Sequence, residues 1–262
     1  MRNRLDLELV KRGLARSRES AQTLIESGVV LVKGLPAMKS STQVHSEDSI
    51  SIANDKERFV SRGGQKLFGA LRAFPEIEVA GKIVLDAGAS TGGFSDVLLR
   101  DGAAKVIAVD VGYGQLAWEL QKDERVQVID RKNIKDLQLS EIGEPVDLVV
   151  ADLSFISLRS VLKPLIALAK PFAVYLLMVK PQFEVGKEKI GTGGVVRDPN
   201  LRFEAVISVA EAAFELGLGV KGVVASSLPG PSGNVEYFLW LEAGAPALDE
   251  QILLNAITRG PQ

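Results

Sequence analysis

At 262 residues, with 46% of them hydrophobic, the chain can bury one large core and a small second one, so two domains are expected. It holds no Cys and one His, which excludes disulfides and a Cys/His zinc site, and no apolar run approaches the roughly 20 residues of a membrane span. The net charge of −2 is unevenly spread: residues 1–60 carry ten Lys or Arg against eight Asp or Glu, or +2, which leaves −4 for the rest.

The opening MRNRLDLELVKRG is charged throughout, unlike a secretion signal, and a soluble, cytoplasmic protein is expected. Leu5, Leu9 and Val10 fall at helical spacing, Gly13 is a stop signal, and Ser17 with Ser20 precedes a second helical pattern of Ala21, Leu24 and Ile25 that Gly28 ends. GVVLVKG at 28–34 reads as a strand and turn, with further β-like pieces around 43–52. Lys11, Arg12, Arg16 and Arg18 lie in a stretch without an acid, so they form either a basic face or an ordinary solvated helix surface. The ordered set R-L-D-x-x-L-V-x-R-G-L-A-x-S-R-x-x-A-x-x-L-I-x-x-G-x-V-x-V-x-G resembles the RNA-binding module named after ribosomal protein S-four. The resemblance implies that Arg4, Arg12, Ser17, Arg18 and Lys33, with Arg62 at the domain junction, face RNA phosphates and the shape of an RNA helix. Lys33 stands where that pattern often has Asn.

The charged, non-periodic run 54–58 marks a boundary, which gives domains at 1–58 and 59–245 and a helical tail at 246–262. Ser61-Arg62-Gly63-Gly64 opens a helix carrying Lys66, Leu67, Ala70, Leu71 and Phe74. IVLDAGAS at 83–90 is an apolar strand ending in Asp86, and Gly88, Ser90, Gly92, Gly93 and Phe94 then lead into a helix. The spacing G-x-x-x-G-G differs from the G-x-G-x-x-G of dinucleotide enzymes and favours S-adenosylmethionine over NAD. Absent side chains would let the methionine part of that cofactor approach the backbone, and Asp86 would receive its amino group. The next strand, at 105–110, puts Asp110 where an acid can take both ribose hydroxyls, beside Val111. A third strand at 126–129 leads to Asn133, placed for the adenine edge. A glycine-rich turn alone can be a tight connection without ligand, whereas acids at both strand ends point to a nucleoside site.

A fourth strand ends at Asp152, assigned to both cofactor and chemistry, and a fifth ends at Lys180, both at the carboxyl edge of a parallel sheet. Helices are expected at 156–169 and 202–216, then a Pro/Gly-linked antiparallel pair with Glu236 near the start of its last strand. The expected architecture is thus α/β, a doubly wound Rossmann-like sheet with a C-terminal antiparallel hairpin, preceded by a small α+β RNA-binding domain. Lys66, Asp152, Lys180 and Glu236 would converge, and this K-D-K-E quartet resembles that of FtsJ-type ribose 2'-O-methyltransferases. The chain is similar to the TlyA family, also called hemolysin A, through SRGGxKL, DAGASTGGFSDVLL, AVDVGYGQLAW, DLSFISL, VKPQFEVG, GGVVRDP and LPGPSGNVEYFL. That resemblance implies ribosomal RNA, free or in a ribosomal subunit, as partner, and a ribose 2'-hydroxyl, in some members of cytidine, as the methylated group.

A sulfonium methyl is strongly electrophilic, so the enzyme must mainly align a hydroxyl and dispose of one proton. Lys180 is the candidate to activate or orient that hydroxyl, with Asp152 and Glu236 holding its ammonium and Lys66 stabilising oxyanion character. An ordinary strand-end salt bridge is the competing reading of Lys180 and Asp152. DLSF at 152–155 also resembles the D/N-P-P-Y/F loop of amino-methylating enzymes but lacks its two prolines. Phe155 either stacks on a splayed base or packs, and the Gly/Lys segment 182–197 is a flap over the site or a plain surface loop. Competing functions are a membrane-active hemolysin and an RNA-binding protein without catalysis. No metal and no membrane insertion are expected, and the chain is taken as a monomer or weak dimer.

Overall fold

A computed structural model describes residues 2–26, 28–52, 59–191 and 193–260, and the run 54–58 expected to mark the domain boundary lies outside them. The N-terminal module contains β1 (Arg2–Arg4), α1 (Leu5–Lys11), α2 (Arg18–Glu26), β2 (Val30–Val32), β3 (Leu35–Pro36), β4 (Gln43–His45) and β5 (Ile50–Ile52). Leu5 and Leu9 of α1 meet Ala21 and Ile25 of α2, and Val30 and Val44 close this small core. Strand β1 pairs with β4, and β2 lies between β3 and β5. Spacing does not reveal β1 or β3, which at three and two residues are too short to show alternation. Lys33 and Gly34, at φ 53° and 78°, form the two-residue connection of β2 to β3. Hairpin turns of that kind need positive φ at both central residues, which accounts for the Asn that the related pattern prefers at this position.

Helix α3 (Arg62–Ala73) leads into the second domain. It continues with β6 (Ile83–Ala87), α4 (Gly93–Arg100), β7 (Lys105–Val109), α5 (Trp118–Gln121), β8 (Val126–Ile129) and α6 (Leu139–Ile142). After these come β9 (Val146–Ala151), α7 (Leu162–Ala167), β10 (Ala169–Val179), α8 (Pro181–Glu184), α9 (Pro199–Glu215), β11 (Leu218–Ala225), β12 (Tyr237–Ala243) and α10 (Glu250–Arg259). The seven-stranded sheet has the order β11-β12-β10-β9-β6-β7-β8, in which β12 alone runs antiparallel to its neighbours. Alternate residues of each strand enter opposite cores: Leu85, Ile107 and Val149 on the face of α7, α9 and α10, Val84, Val106 and Leu148 on the face of α3 and α4. From β6 the chain winds outward to β7 and β8 and returns to β9 on the other side, so the topological switch point lies between β6 and β9.

Two expectations shift. The helix expected at 156–169 shrinks to a 3-10 turn at 158–160 and the six residues of α7, because Pro164 fits only in a first turn and would strike the carbonyl of Ser160 in a longer helix. The expected tail is not separate, since Leu253 and Ile257 of α10 are buried in the same core as α9. Helix α9 begins at 199, where the Asp198 side chain accepts from Asn200 N and Pro199 takes the first position.

Candidate active site

The carboxyl ends of β6 and β9 lie side by side, with Ala87 opposite Ala151 and the Asp152 amide donating to the Ala87 carbonyl at 3.0 Å. Asp86, one residue back, is fully buried. Its Oδ2 accepts from the Ser95 hydroxyl at 2.7 Å, and its Oδ1 has no partner. Burial, opposed by the Ser95 hydroxyl and reinforced by the nearby charges of Asp152 and Asp110, pushes the Asp86 carboxyl up to about 7.

The turn after β6 is clasped by protein. A Cβ on Gly88 would sit 2.6 Å from the Asp152 carbonyl oxygen, and one on Gly93 would sit 2.6 Å from the Gly64 amide at the start of α3. The missing side chains at these two positions therefore serve close backbone packing, a use of glycine beyond the expected approach of a ligand. Gly92 caps the start of α4, and Ser90, at φ 48°, donates its amide to Asp110 Oδ2 at 2.9 Å. Asp110 Oδ1 accepts from the Gly112 amide at 2.7 Å, so both oxygens are fixed in direction and each keeps acceptor capacity. Val111, next in the chain, is exposed.

Two residues expected at the cofactor are otherwise engaged. The Phe94 ring is buried and stacks on Phe238 with centroids 6.0 Å apart, because the helix position after Gly93 points into the core. Asn133 Oδ1 caps the turn 134–136 by accepting from Lys135 N at 3.0 Å, as an Asn before a helical turn does.

The four ionisable groups gather at the same edge, on elements that the sheet order brings together. Asp152 directly follows β9, Lys180 directly follows β10, and Glu236 directly precedes β12, whose Tyr237 pairs with Val179. Lys66 reaches them from α3. They resolve into two pairs: Lys180 Nζ lies 2.6 Å from Asp152 Oδ1, and Lys66 Nζ lies 2.6 Å from Glu236 Oε2. This corrects the expectation that Glu236 holds the Lys180 ammonium; the α3 lysine takes that carboxylate. The Lys66–Glu236 side chains are closed off, at 8% and 1% exposure, whereas Asp152 is 22% exposed. Ser154, to which sequence reasoning gave no role, accepts a hydrogen bond from Lys180 Nζ at 3.0 Å. Phe155 is 92% exposed, holds φ at 63°, and lies with its ring centroid 5.3 Å from that of Phe183.

The segment read as a flap is tied at both ends. Glu184 is buried, and Asn234 accepts from Val196 N and donates to the Gly194 carbonyl, each at 2.8 Å. Only Glu184 had a legible signal, an acid one helical turn after Lys180.

In the N-terminal module, Arg4 and Arg18 each place a guanidinium nitrogen 2.9 Å from Asp6 Oδ2, and Arg4 with Arg18 holds the buried Asp6 carboxyl well below the usual carboxylate range. Lys33 pairs with Asp48 at 2.9 Å and stays largely exposed, and Ser17 Oγ accepts from Ser20 N at the start of α2. Arg12 corrects its expectation: its guanidinium donates to Glu8 and to the carbonyls of His45, Ser46 and Asp48, so it ties α1 to the β4–β5 turn. Arg62 donates to the Pro229 carbonyl at 3.2 Å, at the surface beside the second domain's closing loop.

A family model described as FtsJ-like methyltransferase matches residues 59–243, and one described as the S4 domain matches residues 3–50. The 16S/23S rRNA (cytidine-2'-O)-methyltransferase TlyA of Mycobacterium tuberculosis is 55% identical over 267 residues, covering 99% of this chain and 99% of its own. Hemolysin A of Brachyspira hyodysenteriae is 34% identical over 235 residues, covering 89% of this chain and 97% of its own. A solved structure from Streptococcus thermophilus, under a hemolysin label, has a TM-score of 0.74 and 34% identity, covering 98% of this chain and 96% of its own.

Proposed function

The chain belongs to the TlyA family of FtsJ-like methyltransferases, and from that premise we propose that it methylates a ribose 2'-hydroxyl of ribosomal RNA, of cytidine as in the mycobacterial relative's name, with S-adenosylmethionine as donor. The observation that carries the reading is the Lys180–Asp152 pair, held at the switch point beside the glycine turn and open on one side. The S4 match and the exposed Arg18 and Lys33 support an RNA partner.

The residues present fit the cofactor. Asp86, Asp110 and Asp152 crowd one sheet edge, a surrounding that favours a ligand carrying positive charge, and Asp86 Oδ1 is a buried acceptor without a donor. Asp86 would hold the cofactor's amino group and Asp110 its ribose hydroxyls, with Ser90 and Gly112 fixing the Asp110 carboxylate. When bound, S-adenosylmethionine supplies an electrophilic methyl.

Lys180 does the orienting. An ammonium has three donors; one goes to Ser154 while Asp152 is its ion-pair partner at 2.6 Å, which leaves donor capacity to meet the 2'-oxygen. That hydrogen bond aligns the oxygen and stabilises the negative charge that grows on it, while the adjoining Asp152 carboxylate takes the displaced proton. The Lys66–Glu236 pair, neutral as a whole, fixes α3 against the start of β12 without reaching the substrate. Phe155 offers a face on which the target base stacks. Gly186, Gly191, Gly193 and Gly194 line the segment that closes over the RNA, anchored through Glu184 and Asn234.

Labelled methyl transfer to rRNA from cells lacking the gene, followed by nuclease digestion and mass analysis, tests the reading: the product is a 2'-O-methylated nucleoside. Lys180→Ala lowers the single-turnover rate by about 10²–10³ while cofactor affinity holds. A base-methylated product, or full activity in that variant, refutes the assignment. The hemolysin label suggests vesicle leakage instead. No helix of the described residues is long and apolar enough to cross a membrane, and leakage without methyl transfer would favour that second reading.

A further inference from the structure

Two short segments carry the groups assigned to the reaction: residues 152–159 after β9 and residues 180–184 after β10. The structure joins them at three levels. Nearest the sheet, Lys180 Nζ meets Asp152 Oδ1 at 2.6 Å and Ser154 Oγ at 3.0 Å. Further out, the Phe183 ring lies against Phe155 at 5.3 Å. At the far end, Glu184 Oε2 accepts from the Ser157 hydroxyl at 2.6 Å and Oε1 accepts from the Leu158 amide at 2.7 Å. Arg159 adds Nε to Oε2 at 3.3 Å and donates Nη2 to the Glu184 main-chain carbonyl at 3.1 Å.

Helical stability does not call for these bonds, because α8 is a single turn of four residues and has little hold on its own shape. Solubility does not call for a carboxylate that is 1% exposed, and burial pushes the Glu184 carboxyl up, so the fold sustains an unfavourable charge there. What the bonds do fix is the neighbouring backbone. Phe155 is a non-glycine residue at φ 63°, a conformation that persists only where its surroundings over-determine it, and Asp152 and Glu184 bracket it on either side.

We infer that Glu184 is a positioning residue: by gripping residues 157–159 it sets the 152–159 loop in register with 180–184, and so holds the Lys180 ammonium and the Phe155 ring at the reacting hydroxyl. The inference rests on the methyl-transfer reading. It acts through Lys180 and Phe155 and involves no contact of Glu184 with substrate or cofactor.

The test uses the full chain, S-adenosylmethionine and ribosomal RNA, with the variants Glu184→Ala, Glu184→Gln and Ser157→Ala. In single turnovers at saturating substrates, Glu184→Ala slows methyl transfer by about 10–100-fold, the scale of a 1 Å misplacement, while the Kd values for cofactor and RNA stay within about twofold. Glu184→Gln keeps an acceptor for the Leu158 amide and gives Ser157 Oγ a donor, so it recovers most of the rate. Ser157→Ala, which cannot unfold the loop as Glu184→Ala could, slows transfer by a smaller factor in the same direction. In a background carrying both Lys180→Ala and Phe155→Ala, Glu184→Ala adds little further loss, because its effect runs through those two side chains. Wild-type rates in Glu184→Ala and Ser157→Ala, or a Glu184→Ala loss that persists in full in the Lys180→Ala/Phe155→Ala background, overturn the positioning role and leave the functional reading standing. A wild-type chain that transfers no methyl group overturns the functional reading, and this inference falls with it.

Discussion

Replacing Asp86 by Asn should make the ligand-free protein more stable at high pH and abolish most of its cofactor affinity. Asp86 is fully buried, is bonded by Ser95 alone, and has its carboxyl pushed up from 3.8 to about 7, chiefly by burial. With the folded-state pKa above the unfolded one, the folded chain keeps a proton that the unfolded chain has already lost. The stability due to this group is therefore complete below about pH 4, declines as pH rises, and is gone above about pH 7. At about 1.4 kcal/mol per unit, the difference across that window is about 4 kcal/mol. Asn carries no such proton, so urea unfolding of ligand-free protein at about pH 4 and about pH 8 should show the variant gaining about 2–4 kcal/mol on the parent across the window, allowing for its unpaired amide. S-adenosylmethionine reverses the ranking, because an ammonium beside Asp86 Oδ1 stabilises the carboxylate. Its protection of the parent against unfolding grows with pH, and the variant loses about 2–3 kcal/mol of binding. Parallel stability curves for parent and variant, or unaltered cofactor affinity in Asp86→Asn, would refute the reasoning.

Lys66→Met leaves Glu236 buried without its cation and should lower unfolding free energy by about 3–5 kcal/mol, with partial recovery in Lys66→Met/Glu236→Leu; denaturant melts equal to the parent's would count against the pair. Phe155→Gly removes a strained φ and an exposed ring, so it should raise stability by about 1 kcal/mol while the rate or RNA affinity falls by about 5–100-fold; improved stability with intact activity would remove the stacking role. Arg18→Gln with Lys33→Gln should reduce the slope of log binding constant against log salt for rRNA by about 1–2, read from titrations at several salt concentrations, and an unchanged slope would place the RNA elsewhere.

The parallel sheet was legible because its strands are apolar runs that end near polar residues: Asp110, Asp152 and Lys180 each directly follow a strand, Asp86 is next to last in its own, and all four so appear at the ligand-binding edge. The pairing among the charges was not legible. It depends on β12 entering the sheet between β10 and β11, which sets Glu236 beside Lys180 along the ladder yet within reach of α3, and local spacing carries no trace of that long-range register. Arg12 misled for a related reason, since the carbonyls it satisfies lie more than 30 residues away. Phe94 and Asn133 sit in stretches whose local pattern suits a ligand as well as it suits packing or capping; a tertiary contact with Phe238 engages the first, and a local cap on Lys135 N the second. Ser154 and Glu184 gave weak signals because a single Ser or Glu is common at any surface, and its partners become evident only once two loops are laid together.

The two lysine–carboxylate pairs are alike in distance but divide the work through burial. Glu236 at 1% exposure and Lys66 at 8% form a closed pair, in which attraction mainly repays the removal of both charges from water. Asp152 at 22% keeps an open side, and Lys180 keeps an unused donor, so only this pair can exchange water for a hydroxyl. A substrate oxygen arriving there meets a cation already oriented by Asp152 and Ser154, with no reorganisation required at the moment of reaction. The same closure that bars Lys66 from the substrate fixes α3 against the glycine turn, where the Gly64 amide lies too near Gly93 to admit a side chain. Lys66 therefore acts on the reaction through the placement of α3, and its loss should register in folding stability before it registers in chemistry.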